Sequence, residues 1–124
     1  MLVNLDIHSP MPIYKQIKQG IVGKILRGEL KRDDALPSIR ELATALRVNP
    51  NTVVRAYKEL ELEGILIARQ GIGFLISTEA ATIKEVFLMS MKRELSEVVI
   101  KAKKSGIMLE ELQKVVEELW KGMK

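Results

Sequence analysis

The sequence contains no cysteine and a single histidine among its 124 residues. The lack of cysteine excludes disulfide bonds, thiolate metal ligands and cysteine nucleophiles, and it agrees with a reducing compartment. His8 has neither a cysteine nor a second histidine with which to complete a metal site. It is also the only histidine available to a catalytic triad, and no motif surrounds it. We therefore expect no enzyme, no metal and no cofactor.

Aromatic residues and long apolar runs are also scarce. Aromatic residues make up 4% of the chain and hydrophobic residues 47%, so we expect an aliphatic core. No apolar stretch approaches the roughly 18 residues that cross a bilayer, and residues 1–6 lack the basic and apolar segments of a signal peptide. We expect a soluble, cytoplasmic protein without membrane contact. The formal net charge of +4 is compatible with a polyanionic partner but is weak evidence alone.

Apolar residues at helical spacing predict an amphipathic helix after an extended arm over residues 1–10. One isoleucine recurs at every fourth position: Ile13, Ile17, Ile21 and Ile25. This spacing places the four side chains on one helix face. Pro12 suits the start of the helix, and Gly28 suits its end. Residues 31–35 are predicted to form a polar connection.

Two further helices follow, each with its own start signal. Glu41 lies three residues after Ser38, which is the spacing of a capping box. Asn49 can cap the next helix, and Pro50 suits its first position. Residues 47–48 make a short turn between the two helices. Two short helices joined by a tight turn are the outline of a helix-turn-helix, and the exposed residues are of types that hydrogen-bond DNA.

The periodicity changes after Gly64, which is predicted to end the third helix. Residues 65–69 and 74–77 are short, apolar and rich in β-branched residues, and residues 70–73 between them can turn, which predicts a β-hairpin. Three helices followed by a hairpin make a winged helix-turn-helix. The predicted buried faces of the second and third helices consist of Ile39, Leu42, Ala43, Leu46, Val53, Tyr57 and Leu60.

The rest of the chain is predicted to form two amphipathic helices, from about residue 83 to 104 and from about residue 109 to 123, after a boundary at 78–82. The predicted fold is therefore mainly α with a small β-hairpin. It comprises a winged helix-turn-helix domain over residues 1–78 and a short helical pair over residues 79–124.

The helical pair is apolar on one face and charged on the other. In a monomer the apolar face can pack on its own domain, but one helix pair offers little surface on which to bury it. A second copy supplies the missing surface. We expect a homodimer through the C-terminal helices, with Phe87 and Trp120 as anchors.

A dense set of characteristic residues lies between positions 11 and 77: Pro12-Ile13-Tyr14 with Gln16-Ile17, Gly28-Glu29-Leu30, Leu36-Pro37-Ser38-Ile39-Arg40-Glu41-Leu42-Ala43, Asn49-Pro50-Asn51-Thr52-Val53, Arg55-Ala56-Tyr57, Leu60-Glu61 and Glu63-Gly64. These residues resemble the DNA-binding domain of GntR-family transcription regulators. The Asn-Pro-Asn-Thr-Val form and the short tail resemble the YtrA-type subfamily in particular. The resemblance implies a sequence-specific regulator of transcription. The tail is too short for the metabolite-sensing domains of larger family members.

The residues expected to bind DNA cluster on the two helices of the motif. The start of a recognition helix lies nearest to the bases, where Asn51 and Thr52 can reach phosphate or a base edge. Arg55, one turn later, can reach a phosphate or a guanine. Arg40 lies in the first turn of the preceding helix, where the helix dipole disfavours a cation, and the resemblance implies that it contacts DNA. The full set predicted for the two helices is Ser38, Arg40, Asn49, Asn51, Thr52 and Arg55.

The hairpin adds Arg69, Gly71 and Gly73 to the predicted DNA-binding residues. Glycine allows the backbone to approach a phosphate or the minor-groove wall closely. The family's wing usually has a basic residue where Ile72 stands, so the electrostatic part of this contact is expected to be weaker here. The two glycines also have a simpler explanation, since both can serve only to turn the hairpin.

The leading hypothesis is a homodimeric repressor that binds double-stranded DNA at a palindromic operator. Two alternatives stay open. One is a winged helix that docks a protein instead of DNA, with the tail as an assembly element. The other is a regulator whose tail binds a small molecule; the sequence does not identify such an effector.

Overall fold

The computed structural model describes residues 2–123; Met1 in the predicted arm and Lys124 at the end of the predicted tail lie outside the described residues. Within this range the chain forms five helices and one two-stranded sheet. In chain order they are α1 (Ile13–Leu26), α2 (Ile39–Leu46), α3 (Pro50–Leu62), β1 (Leu66–Arg69), β2 (Gly73–Ile76), α4 (Ala80–Lys104) and α5 (Leu109–Gly122). The predicted fold class, a winged helix-turn-helix followed by a helical pair, is confirmed.

Helix α3 is the centre of the first compact unit, because α1, α2 and β1 all pack against it. Four of its side chains, at spacings of three and four residues, are fully buried: Val53, Ala56, Tyr57 and Leu60. Ile17, Ile21 and Ile25 of α1 cover them from one side and Leu42 and Ala43 of α2 from the other. The helical spacing therefore identified this core correctly, except that Ile13, Ile39 and Leu46 are only half-buried.

Tyr57 connects three elements of this core. Its ring meets the ring of Phe74 in β2 edge-on, with 5.0 Å between the centroids. Its hydroxyl donates a 2.7 Å hydrogen bond to the carbonyl oxygen of Pro37, just before α2. Burial raises the pKa of Tyr57 and keeps this donor protonated. The start of α2, which carries Arg40, is thereby fixed relative to α3.

The wing is an antiparallel hairpin in which Leu66 pairs with Ile76 and Arg69 with Gly73. Compared with the predicted strands, residues 65–69 and 74–77, β1 begins one residue later and β2 is shifted by one residue towards the N-terminus. Residues 31–35, which were expected to form a polar connection, also bond to the hairpin. Ala35 forms a β-bridge with Leu75, and backbone bonds between residues 33–36 and β2 lie at 2.8–2.9 Å. This polar segment is ordered because its backbone N–H and C=O groups form hydrogen bonds with the sheet.

The N-terminal arm packs on α1 over part of its length. Val3 is buried, and a side chain at Gly20 would meet both methyl groups of Val3 at 3.0 Å. The side-chain amide of Gln16 accepts a bond from the backbone N–H of Asp6 and donates to the carbonyl oxygens of Asp6 and Met11. Beyond Asp6 the arm turns, so the extended form predicted for residues 1–10 does not hold for its second half and stays a prediction for residues 2–6.

The second unit begins at Val86, inside α4. Helix α4 starts at Ala80, within the segment predicted as a boundary, and Ile83 in its first turns is buried. The domain limit after residue 78 stays a prediction. Helix α5 has no buried residue, and Trp120 is 81% exposed. Across residues 2–123, none of the helices has the length and apolar character that crossing a membrane requires.

Candidate nucleic-acid interface

The starts of α2 and α3 are shaped by the side chains of Ser38 and Asn49. The Ser38 hydroxyl accepts a bond from the backbone N–H of Glu41 at 3.0 Å, and the Glu41 carboxylate accepts one from the backbone N–H of Ser38 at 3.1 Å. The Asn49 side-chain oxygen accepts a bond from the backbone N–H of Asn51 at 2.8 Å. Both caps form as predicted. Since capping occupies Ser38 and Asn49, their first role is to set the geometry of the motif.

Replacing Glu41 with glutamine separates the charge of this capping box from its geometry. The hydrogen bonds with the backbone and side chain of Ser38 lower the pKa of Glu41. The carboxylate therefore stabilises the fold above about pH 4.3, the ordinary value for glutamate, and this contribution is lost as the pH falls through the lowered pKa. Glutamine accepts the same bond without titrating, so we expect Glu41→Gln to be less stable at pH 7.

Urea unfolding midpoints of the parent and Glu41→Gln at neutral and acid pH measure this effect. At a pH well below the lowered pKa of Glu41, where the parent carboxyl is protonated as well, the two proteins should have nearly equal midpoints. A difference of the same size at both pH values would contradict the role of the charge.

Arg40 differs from three of the other arginines in having no side-chain partner within the described residues. It lies exposed in the first turn of α2, and no hydrogen bond or ion pair involves its guanidinium within the part of the chain that the structure describes. Arg27, Arg32 and Arg55 are all paired with glutamates. All five N–H donors of Arg40 are therefore available to an external acceptor.

Helix α3 turns its exposed face away from the core, opposite Val53 and Tyr57. Asn51 and Arg55 lie on this face, and Thr52 at its edge is half-buried. Lys58 continues the same face two turns beyond Asn51 and is paired with Glu61 at 3.7 Å. The sequence analysis left Lys58 out of the site, although its spacing of seven residues from Asn51 places it on the same side of the helix.

The guanidinium of Arg55 is held by two neighbours. Its Nε donates to Glu59 at 3.2 Å, and one Nη donates to the Tyr14 hydroxyl at 3.1 Å. The guanidinium carbon also lies 3.8 Å from the centre of the Tyr14 ring. Sequence analysis did not predict this contact. The only local signal was Glu59, four residues after Arg55 on the same helix face.

Lys18 of α1 extends this cluster. Its ammonium contacts Glu59 at 2.9 Å and also Glu63. Partial burial by itself lowers the pKa of Lys18, but the bonds to Glu63 and Glu59 outweigh it and the net shift is upward. Bonds from Lys18 and then Arg55 lower the pKa of Glu59. Lys18 and Glu59 are therefore ionised at neutral pH, and their ion pair joins α1 to α3.

The wing presents a short tip with three consecutive exposed residues. Gly71 has φ +81° and Gly73 has φ +104°, conformations that other residues rarely adopt. Both glycines are therefore needed to turn the hairpin, whatever else they contact. Ile72 between them is 64% exposed. Arg69 lies exposed at the end of β1 and makes no ion pair within residues 2–123.

The chain was compared with known families and proteins. The family model for bacterial regulatory proteins of the gntR family matches residues 13–76. The HTH-type transcriptional repressor YtrA of Bacillus subtilis is 42% identical over 119 residues, which cover 95% of this chain and 92% of that protein.

Two solved structures extend the comparison. A GntR family transcriptional regulator from Listeria monocytogenes has a TM-score of 0.71 at 34% identity, over 92% of this chain and 98% of that chain. The DNA-binding domain of AraR in complex with operator ORR3 has a TM-score of 0.52 at 28% identity, over 62% of this chain and 95% of that chain.

These matches confirm the resemblance drawn from residues 11–77, including its likeness to YtrA. The matched family consists of transcription regulators, which are not enzymes, as the sequence predicted. In the fold described above, the family match spans α1 to the end of β2, the whole of the winged helix-turn-helix. The chain belongs to the GntR family of DNA-binding transcription regulators.

Proposed function

We propose that the protein is a repressor that binds a palindromic operator as a homodimer. The observation that carries this proposal is that Arg40, an exposed arginine in the first turn of α2, has no partner within the described residues. A repressor, YtrA, is among the relatives that match nearly the whole chain. Because a protein that binds operator DNA acts in the compartment that contains the DNA, the proposal also implies a cytoplasmic protein. A small-molecule effector is not part of the proposal.

The mode of binding follows from the two caps. With α3 in the major groove, the positive end of its helix dipole favours a phosphate oxygen. Asn51 and Thr52 position this helix end, and Arg40 and Arg55 are the main cationic contacts. The wing residues Arg69, Gly71 and Gly73 lie along the DNA backbone. Ser38 and Asn49 take part through the geometry that they impose on the two helix starts.

The tail supports the homodimer. Within the second unit, α5 leaves its apolar stripe open apart from Leu112, which is half-buried, and α4 leaves most of its stripe open. Exposed positions of these two stripes include Leu88, Met91, Leu95, Val98, Val116, Leu119, Trp120 and Met123. Monomeric proteins rarely expose an apolar surface of this extent. A second copy covers it and sets two recognition helices about one turn of DNA apart.

Selection of bound fragments from genomic DNA, followed by titration in rising salt, tests this function. We expect a two-fold symmetric site to be enriched. We also expect the affinity for it to fall about 10³- to 10⁵-fold between 50 and 200 mM salt if the protein contacts six to ten phosphates. Failure to enrich any sequence, or binding that is insensitive to salt, would instead favour the protein-docking alternative.

A further inference from the structure

The contacts of the Arg55 guanidinium restrict its orientation more than the orientation of an arginine surrounded by solvent is restricted. The Tyr14 ring lies under its guanidinium plane, the Tyr14 hydroxyl accepts from one Nη, and Glu59 accepts from Nε. These are three contacts of different kinds, contributed by two helices. A planar guanidinium held on its face and on one edge has little rotational freedom left.

The remaining N–H donors of the Arg55 guanidinium are available to an acceptor outside the protein. Arginine carries five N–H donors. Glu59 and Tyr14 take one each, so three are left, and the side chain is 60% exposed. Buried side-chain polar atoms without a partner are absent among the described residues, so these donors are directed to solvent. They are arranged to bind an oxyanion such as a DNA phosphate.

Glu59 by itself would place a negative charge beside the phosphate that Arg55 binds. Lys18 offsets it at 2.9 Å, from the opposite side of the carboxylate. Glu59 therefore holds Arg55 while part of its own charge is balanced by α1. Tyr14 and Lys18, one turn apart on α1, thus both act on α3 through the Arg55–Glu59 pair.

We infer that Tyr14 is a positioning residue of the DNA interface, which fixes the Arg55 guanidinium so that its free edge clamps a phosphate. The inference rests on the proposed function and deepens it. Tyr14 contributes by lowering the freedom that Arg55 loses on binding. Arg55 accordingly contributes affinity for the DNA backbone, and base discrimination falls to Arg40 and the start of α3.

A double-mutant cycle on the full chain tests this inference. Tyr14→Leu, Arg55→Ala and the double variant are titrated against the selected operator. We expect Tyr14→Leu to weaken binding about five- to twentyfold for two clamps per dimer. In the Arg55→Ala background the same change should have almost no effect. Arg55→Ala should also reduce the salt dependence by about one phosphate per subunit, equally on operator and unrelated DNA.

Tyr14→Phe guards against misfolding, because it keeps the ring and removes only the hydroxyl. We expect it to melt like the parent and to lose less affinity than Tyr14→Leu. An equal loss in both Arg55 backgrounds would give Tyr14 a merely structural role and overturn the inference alone. If the parent bound no operator at all, the proposed function would fall and this inference with it.

Discussion

Replacing Arg40 with alanine is expected to abolish specific operator binding and to leave the dimer intact. A bidentate arginine–guanine pair contributes about 1–3 kcal/mol of discrimination. Two half-sites together would then lose about 2–6 kcal/mol, which is a weakening of about 30-fold to 10⁴-fold. Arg40 has no partner within the described residues, so its loss should leave stability nearly unchanged. A gel-shift titration with the operator and with scrambled DNA measures the specific part.

Arg27→Ala is the matched control for this experiment. Arg27 is also an exposed arginine, but it follows the end of α1 and is paired with Glu29 at 2.7 Å. The control removes the same charge from the protein and should change operator affinity only slightly. If Arg40→Ala kept its specific affinity and the control behaved like the parent, Arg40 would not be part of the DNA-binding site.

Leu95→Glu is expected to convert the proposed dimer into monomers. Leu95 is 49% exposed within the chain, in the middle of the apolar stripe of α4. In a dimer its carboxylate replacement would be buried without a partner, which is strongly unfavourable. Each monomer then binds one half-site without the second one to hold it, and operator affinity should fall about 10²- to 10⁴-fold. Light scattering on the eluting protein gives the mass directly.

Ser96→Glu provides the control for the tail. It adds the same charge one residue further along α4, about 100° around the helix, and Ser96 is exposed. The control should remain dimeric and bind the operator like the parent. If Leu95→Glu were still a dimer, the two copies would have to meet through another surface.

Sequence alone predicted the features that depend on neighbours a few positions apart. The Ser38–Glu41 box and the Asn49 cap each need only a spacing of two or three residues. Burial of Val53 and Tyr57 follows from helical period. These local signals were enough to place the two helices of the motif and the wing, and hence the surface that carries Arg40.

The features that the sequence did not predict all depend on contacts between distant segments. Tyr14 and Arg55 are 41 positions apart and meet only because α1 packs on α3. The bridge between Ala35 and Leu75 and the packing of Val3 against Gly20 have the same origin. Periodicity describes which face of an element is buried but not which residue on another element lies opposite.

The wing tip has a consequence for how regulators of this kind diverge. Gly71 and Gly73 cannot easily be replaced because their φ angles are positive. Ile72 between them has no positive φ angle and is largely exposed. Mutation at this one codon can therefore change the chemistry of the tip while the fold stays intact. After gene duplication, two copies can acquire different salt sensitivity or groove preference through position 72 before any change in the core is needed.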